Sequence, residues 1–181
     1  PQQRSFLRNC CQFFSAEGIK IGSEFLINTT TEHTQLGSSV SSFPTGGFVV
    51  VWSSNHNDGP DTSDFGVYGQ IFNNMGEKIG AEFLVNTRTI YSQLSPSVKV
   101  LSEEKFIVTW QSYNQDDRSG YDDGIFGQLF NNFGQKLSSE FQVNSYVEND
   151  QQSPEVTNLE NGYFFITWYS EDQDSDGFGI Y

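Results

Sequence analysis

The sequence predicts an all-β chain of three tandem units of about 58 residues, each a four-stranded antiparallel sheet resembling a β-propeller blade, arranged as a partial ring or a linear array. Three observations lead there. The chain matches itself at a single offset of 58, so that Trp52, Trp110 and Trp168 recur, as do Gln12/Gln70/Gln128, Gln35/Gln93/Gln151 and Phe48/Phe106/Phe164. Its apolar runs are strand-sized, the longest being Phe48 to Trp52, and no segment carries a 3.6-residue period. Aromatic residues fill 15% of the 181 positions, with 17 glycines and 5 prolines, which is the composition of a folded, β-leaning chain and not of a disordered one.

Within a unit the first predicted strand is Phe25 to Asn28, copied from Phe83 and from Phe141; Phe25/Ile27, Phe83/Val85 and Phe141/Val143 alternate onto one face. The second runs near Ser95 to Leu101, with Pro96 and Pro154 expected at the strand start, where a missing N–H is tolerated. The third is Phe48 to Trp52 with its copies Phe106 to Trp110 and Phe164 to Trp168. It is apolar on both faces, because Val49, Val51, Ile107 and Phe165 lie opposite the Phe/Trp set, and such a strand is sandwiched between layers. The fourth is Val67 to Phe72, copied at Ile125 to Phe130, and Asn-Asn-x-Gly at 73–76 and 131–134 turns the chain back. The units are read as a partial repeat over 1–17, repeats over 18–75 and 76–133, and a truncated repeat over 134–181. Three blades do not close a ring, since propellers usually need four to eight. A stretch of a longer array, a half-ring that pairs with another chain, and a linear stack all remain open.

Nine Lys plus Arg stand against 23 Asp plus Glu, a net charge of −14, so the chain repels phosphate backbones; nucleic acid and anionic membranes are not expected as partners. No window approaches the ~18 apolar residues of a membrane span, and no membrane insertion is expected. Position 1 is Pro with no basic or apolar leader before the first repeat, so any export signal is expected to be removed or to lie outside the segment. Cys10 and Cys11 are adjacent and cannot form an ordinary disulfide with each other. Only His33 and His56 are available to join them, without zinc-ligand spacing. Neither His recurs at the offset and Gly-x-Ser-x-Gly is absent. The carboxylate pairs Asp116/Asp117 and Asp122/Asp123 suggest glycosidase acids, but they lie in variable polar loops where solvation is the default. The chain is therefore expected not to be an enzyme.

The loop after each Trp concentrates acid. Asp172, Asp174 and Asp176 alternate ahead of Gly177, the spacing that turns carboxylates toward one hard cation, and Asp58 and Asp116 stand in the two earlier loops. Calcium is the one cofactor these residues suggest; a helical calcium loop is excluded, because no helix follows and the closing Glu has no position. Hairpin loops prefer the same residues without a metal. Trp52, Trp110 and Trp168 end apolar strands in phase with Phe48, Phe106 and Phe164, so core packing is favoured over sugar stacking. Gln12, Gln70 and Gln128 sit among apolar neighbours; a buried amide must be bonded, and each is expected to tie one unit to backbone of the next. Asn28-Thr29-Thr30 is the one glycosylation sequon, which makes Asn28 the candidate acceptor.

The pattern Gln-x-x-Pro-x-Val, Gly-x-Phe-x-Val-x-Trp-x-Ser, an Asp/Gly-rich loop, Gly-x-Tyr/Phe-Gly-Gln-x-Phe and x-Glu-Phe-x-Val-Asn-Thr is carried best by Gln93 to Asn144. It resembles the Trp-containing tandem β repeats of large secreted or cell-surface bacterial and protist adhesin-like proteins. Ser38 in place of Pro, and Asn9-Cys10-Cys11 in place of a Tyr/Phe-Gly pair, depart from it. The resemblance implies an extracellular, non-catalytic role. The expected function is thus a non-enzymatic structural or adhesion repeat, as in a surface filament, whose partners are further copies of itself; the second reading is a ligand- or carbohydrate-binding propeller with calcium-stabilised loops.

Overall fold

A computed structural model describes residues 8–29, 33–55, 64–115 and 122–181 and shows an all-β chain. Thirteen strands form four antiparallel sheets among the described residues. Sheet I pairs β1 (Cys10–Phe14) with β2 (Lys20–Leu26). Sheet II runs in chain order through β3 (Gln35–Ser42), β4 (Phe48–Ser54), β5 (Gly66–Phe72) and β6 (Lys78–Leu84). Sheet III repeats it with β7 (Gln93–Val100), β8 (Lys105–Tyr113), β9 (Asp123–Asn131) and β10 (Phe141–Gln142). Sheet IV holds β11 (Gln151–Asn158), β12 (Phe164–Glu171) and β13 (Phe178–Ile180), with a single 3-10 turn at Glu160–Gly162. No described helix is long and apolar enough to cross a membrane.

The predicted two-faced strand explains the stacking. Val49 and Val51 of β4 enter a core with Val98, Val100, Phe106, Val108 and Trp110 of sheet III, while Val50 and Trp52 of the same strand pack on Phe25 and Cys11 of sheet I and on Ile27 just after it. The central strand β4 thus glues sheet II to two neighbours, the blade arrangement the repeat called for. The first strands β3, β7 and β11 lie side by side and are stitched together by hydroxyls. Ser39 Oγ accepts the Val98 N–H at 3.2 Å, Ser41 Oγ that of Val100 at 2.9 Å, and Ser97 Oγ that of Val156 at 3.2 Å.

Strand ends differ from the sequence reading. The strand predicted from Phe25 begins earlier, at Lys20, and its copy at Lys78, because the hairpin after Asn-Asn-x-Gly pairs at once with β5. Ile27 and Asn28 fall beyond it. Pro96 and Pro154 lie inside β7 and β11, at irregularities between Leu94 and Ser97 and between Gln152 and Glu155 where the ladder skips a residue and needs no N–H. The sheets group residues 35–84, 93–142 and 151–180, so sheet boundaries are offset from those of the sequence repeats.

Candidate active site

The repeat is broken polar at one junction. Where sheet II has Ser53, Phe65, Leu36 and Leu94 hold their repeat positions, and the residue before β7 is Ser92; the equivalents around sheets III and IV are Gln111, Asp123, Gln152 and Asp150. Four side chains change to acid or amide together, and they meet. Asp123 opens β9, Gln111 lies on β8, and Asp150 precedes β11, whose second residue is Gln152. Gln152 Nε2 donates to Asp150 Oδ2 at 3.0 Å and to Asp123 Oδ2 at 3.1 Å, so one amide bridges the two carboxylates and holds these oxygens no further apart than about 6 Å. Gln111 Nε2 donates to Asp123 Oδ2 at 3.1 Å and its Oε1 accepts the Ser153 N–H at 3.0 Å, which fixes the amide and joins the two sheets. The Asp123 N–H bonds Asp150 Oδ1 at 3.0 Å.

Burial, and then the neighbouring charge of Asp150, push the Asp123 carboxyl up to about 6; Asp122 adds to the rise, and the bonds from Gln152 and Gln111 oppose it. The result is a half-buried acid that carries its proton into the pH range where proton transfer is useful, next to a second carboxylate. The sequence reading named Asp122/Asp123 and assigned them to solvation. It passed over Asp150, Gln111 and Gln152. The signal that finds them is the position where an internal repeat stops repeating.

The predicted site residues lie elsewhere. Asp172 Oδ1 accepts the Gly177 N–H at 3.0 Å and Asp174 Oδ1 the Asp176 N–H at 3.3 Å, so two of the three carboxylates close their own hairpin. Among the described residues no three His, Cys, Asp or Glu side chains stand together to hold a metal. Asp58 and Asp116 lie outside the described residues. Asn28, the candidate glycan acceptor, is 3% exposed, at the position of Asn86 and Asn144, whose Oδ1 atoms accept the N–H of Val67 and Ile125 at 2.8 Å each. Trp52 and Trp110 are buried, whereas Trp168 is half-buried and donates Nε1–H to Gln151 Oε1 at 3.0 Å. Gln70 Nε2 bonds the carbonyls of Ile71 at 3.0 Å and Ile79 at 3.1 Å, Gln128 those of Leu129 at 3.0 Å and Ser138 at 2.8 Å, and Gln12 those of Phe13 at 3.1 Å and Ile21 at 2.9 Å. These amides bind strands within one sheet, where a tie from blade to blade was expected. Both cysteines are free thiols.

No protein-family model and no curated protein matches the sequence. The fold is shared with solved structures. An endo-arabinase from Bacteroides thetaiotaomicron VPI-5482 superimposes over 92% of this chain and 61% of its own, with a TM-score of 0.55 and 14% identity. An alpha-L-arabinofuranosidase from Lactobacillus brevis covers 93% of this chain and 64% of its own at TM-score 0.52 and 13% identity. A thermostable family-43 glycoside hydrolase gives 93% and 62% at 0.51 and 11%. This chain therefore spans about three fifths of the length of the structures it matches. The finding corrects two expectations, that the chain is a non-enzymatic structural or adhesion repeat and that it is not an enzyme: these three solved chains, which share the fold over more than nine-tenths of it, are glycoside hydrolases.

Proposed function

We propose that this chain is the propeller portion of a secreted glycoside hydrolase acting on pentose-containing polysaccharides, with Asp123 as the proton donor. The observation that carries the reading is the acid pair at the junction of sheets III and IV, the one place where the repeat is replaced by four polar side chains at once. Both amides bond Asp123 Oδ2, so the proton resides on Oδ1, the atom left to protonate a leaving glycosidic oxygen. Asp150 supplies the negative charge that keeps that proton in place, and it is the second carboxylate that a glycosidase pair requires. The likeness in fold to an endo-arabinase and an alpha-L-arabinofuranosidase supports arabinose-type glycosides as the first substrates to try. Such polymers are met outside the cell.

The test is release of reducing sugar from arabinan and of chromophore from an aryl arabinofuranoside. Turnover is expected to fall as pH rises through about 6, where Asp123 ionises. Asp123→Asn is expected to lower turnover by about 10²- to 10⁴-fold. Gln152→Leu, which restores the residue of the other repeats, is expected to move that pH limb while leaving the fold intact. Turnover indifferent to both substitutions, or absent on every pentose glycoside, ends the proposal.

A further inference from the structure

We propose that Tyr91, held on edge by Tyr113, is the stacking platform for the sugar on the leaving side of the bond that Asp123 protonates, so that the site takes chains of two or more neutral sugar units. The inference rests on the catalytic reading above and adds the residue that selects the substrate. In the ladder of β8 and β9, Tyr113 stands directly opposite Asp123, and opposite residues of an antiparallel pair project from one face with Cβ atoms about 5 Å apart. Gln111, two residues before Tyr113, shares that face. The Tyr91 ring meets the Tyr113 ring edge to face, at a centroid separation of 5.8 Å and an angle of 86°. Tyr91, Tyr113 and Asp123 therefore follow one another across the end of sheet III, and Asp150 lies on the far side of Asp123, at the start of sheet IV. That order sets the direction of the substrate. The reacting sugar stands toward the second carboxylate and the leaving sugar away from it, which is where the two rings are.

The repeat shows that the fold itself does not ask for these rings. Positions 91 and 113 correspond to His33 and Asn55 in sheet II and to Asn149 and Glu171 in sheet IV. The backbone is joined alike in all three sheets: the Asn55 N–H bonds the Thr34 carbonyl at 3.4 Å, that of Tyr113 the Ser92 carbonyl at 3.0 Å, and that of Glu171 the Asp150 carbonyl at 2.9 Å. Two aromatic rings stand at these positions in the same sheet that carries Asp123 and Gln111, so a second departure from the repeat coincides with the first. Neither ring belongs to the apolar cores that hold sheets I, II and III together.

The backbone of Tyr91 points the same way. Its φ is 66°, and the other seven non-glycine residues with positive φ among the described residues are Ser, Asn or Asp, whose short polar side chains tolerate that conformation. A bulky ring there is strained, and such strain persists where the surroundings fix it and gathers at ligand sites. The fixing group is Gln93, a buried amide whose Nε2 donates to the carbonyls of Tyr91 at 3.0 Å and Ile90 at 3.3 Å. The tyrosine it pins is 36% exposed. A ring face beside hydrogen-bonding carboxyls is the chemistry that receives a sugar, C–H groups on the ring and hydroxyls on the oxygens, and two carboxylates in one site repel an anionic ligand and favour a neutral one.

Calorimetric titration of Asp123→Asn with arabinotriose and with arabinose tests this. The trisaccharide is expected to bind at least about tenfold more tightly than the monosaccharide. On that background Tyr91→Asn and Tyr91→Ala are each expected to weaken arabinotriose about tenfold and arabinose less than about twofold, while Tyr91→Phe, which keeps the ring, preserves the affinity. Asn149 already occupies the matching position at φ 59°, so Tyr91→Asn is expected to melt no earlier than the unsubstituted chain, which separates lost stacking from lost folding. On arabinan the same substitution in the otherwise unsubstituted chain is expected to raise KM about tenfold with kcat within about twofold. Arabinotriose affinity that ignores Tyr91→Asn and Tyr91→Ala, equal affinity for arabinotriose and arabinose, or binding of neither overturns the proposal. The two readings fail separately: cleavage of arabinan untouched by Tyr91→Asn removes the platform alone, whereas arabinotriose bound through Tyr91 without any turnover removes the catalytic reading and upholds the platform.

Discussion

Gly69 and Gly127 are under a constraint that their repeat partner Cys11 escapes. A Cβ on Gly69 would stand 2.5 Å from the Phe83 ring, and that ring has little room to move, packed against Phe106 and Phe130 at centroid separations of 6.3 and 5.6 Å. Gly69→Ala is expected to cost about 1–3 kcal/mol in urea unfolding, the usual penalty for overfilling a packed core. Gln70→Leu is expected to cost a similar ~1–3 kcal/mol, because it strips a donor from the buried carbonyl of Ile71 and from that of Ile79. Asp123 gives a pH signature. Its carboxyl titrates near 6 in the fold against about 4 in an unfolded chain, so the native state holds the proton more tightly. Its contribution to stability is fullest below pH ~4 and is lost as pH rises through about 6. The melting midpoint of Asp123→Asn is expected to gain on the unsubstituted chain across that interval and to run parallel to it above.

At the scale of strands, what recurs was legible and what departs was not. The all-β class and the two-faced strand β4 could be read because Val49, Val51 and the Phe/Trp set alternate in an unbroken run, and burial on both sides follows from that pattern alone. The start of β2 could not, since Ile21 is exposed and its neighbours are polar, leaving the hairpin and not hydrophobic alternation to fix the end. The acid site was hidden for a related reason: Asp123 and Asp150 are far apart in sequence, and a bond through Gln152 exists only after sheets III and IV pack. The irregularities at Pro96 and Pro154 likewise depend on backbone, Ser95 and Ser153 being left-handed at φ 51° and 53°, where the first repeat has Gly37 at 63°. Ser95→Gly is expected to be neutral or stabilising, and Ser95→Val to cost about 1–2 kcal/mol by thermal melting, since a branched side chain resists that conformation.

For the molecule as a whole, stability is a sum over sheets and the joints between them. Sheet III has a neighbour on each side, through Val98 and Phe106 toward sheet II and through Gln111 toward sheet IV, whereas Phe165, Tyr169 and Phe178 of sheet IV are exposed. Amide exchange is expected to be slowest in β8 and β9 and fastest in β13, and uniform exchange across the sheets would show that the chain unfolds as one unit. The hydroxyls between the first strands have a further consequence. Every sheet begins with an edge strand, and edge N–H groups are what a stray strand recruits when sheets fuse into aggregates. Ser39, Ser41 and Ser97 occupy the N–H groups of Val98, Val100 and Val156, so the edges of β7 and β11 are chemically capped at these positions although no described strand covers them. A serine there makes a poor seed for fibrils out of what would otherwise be two stacked templates.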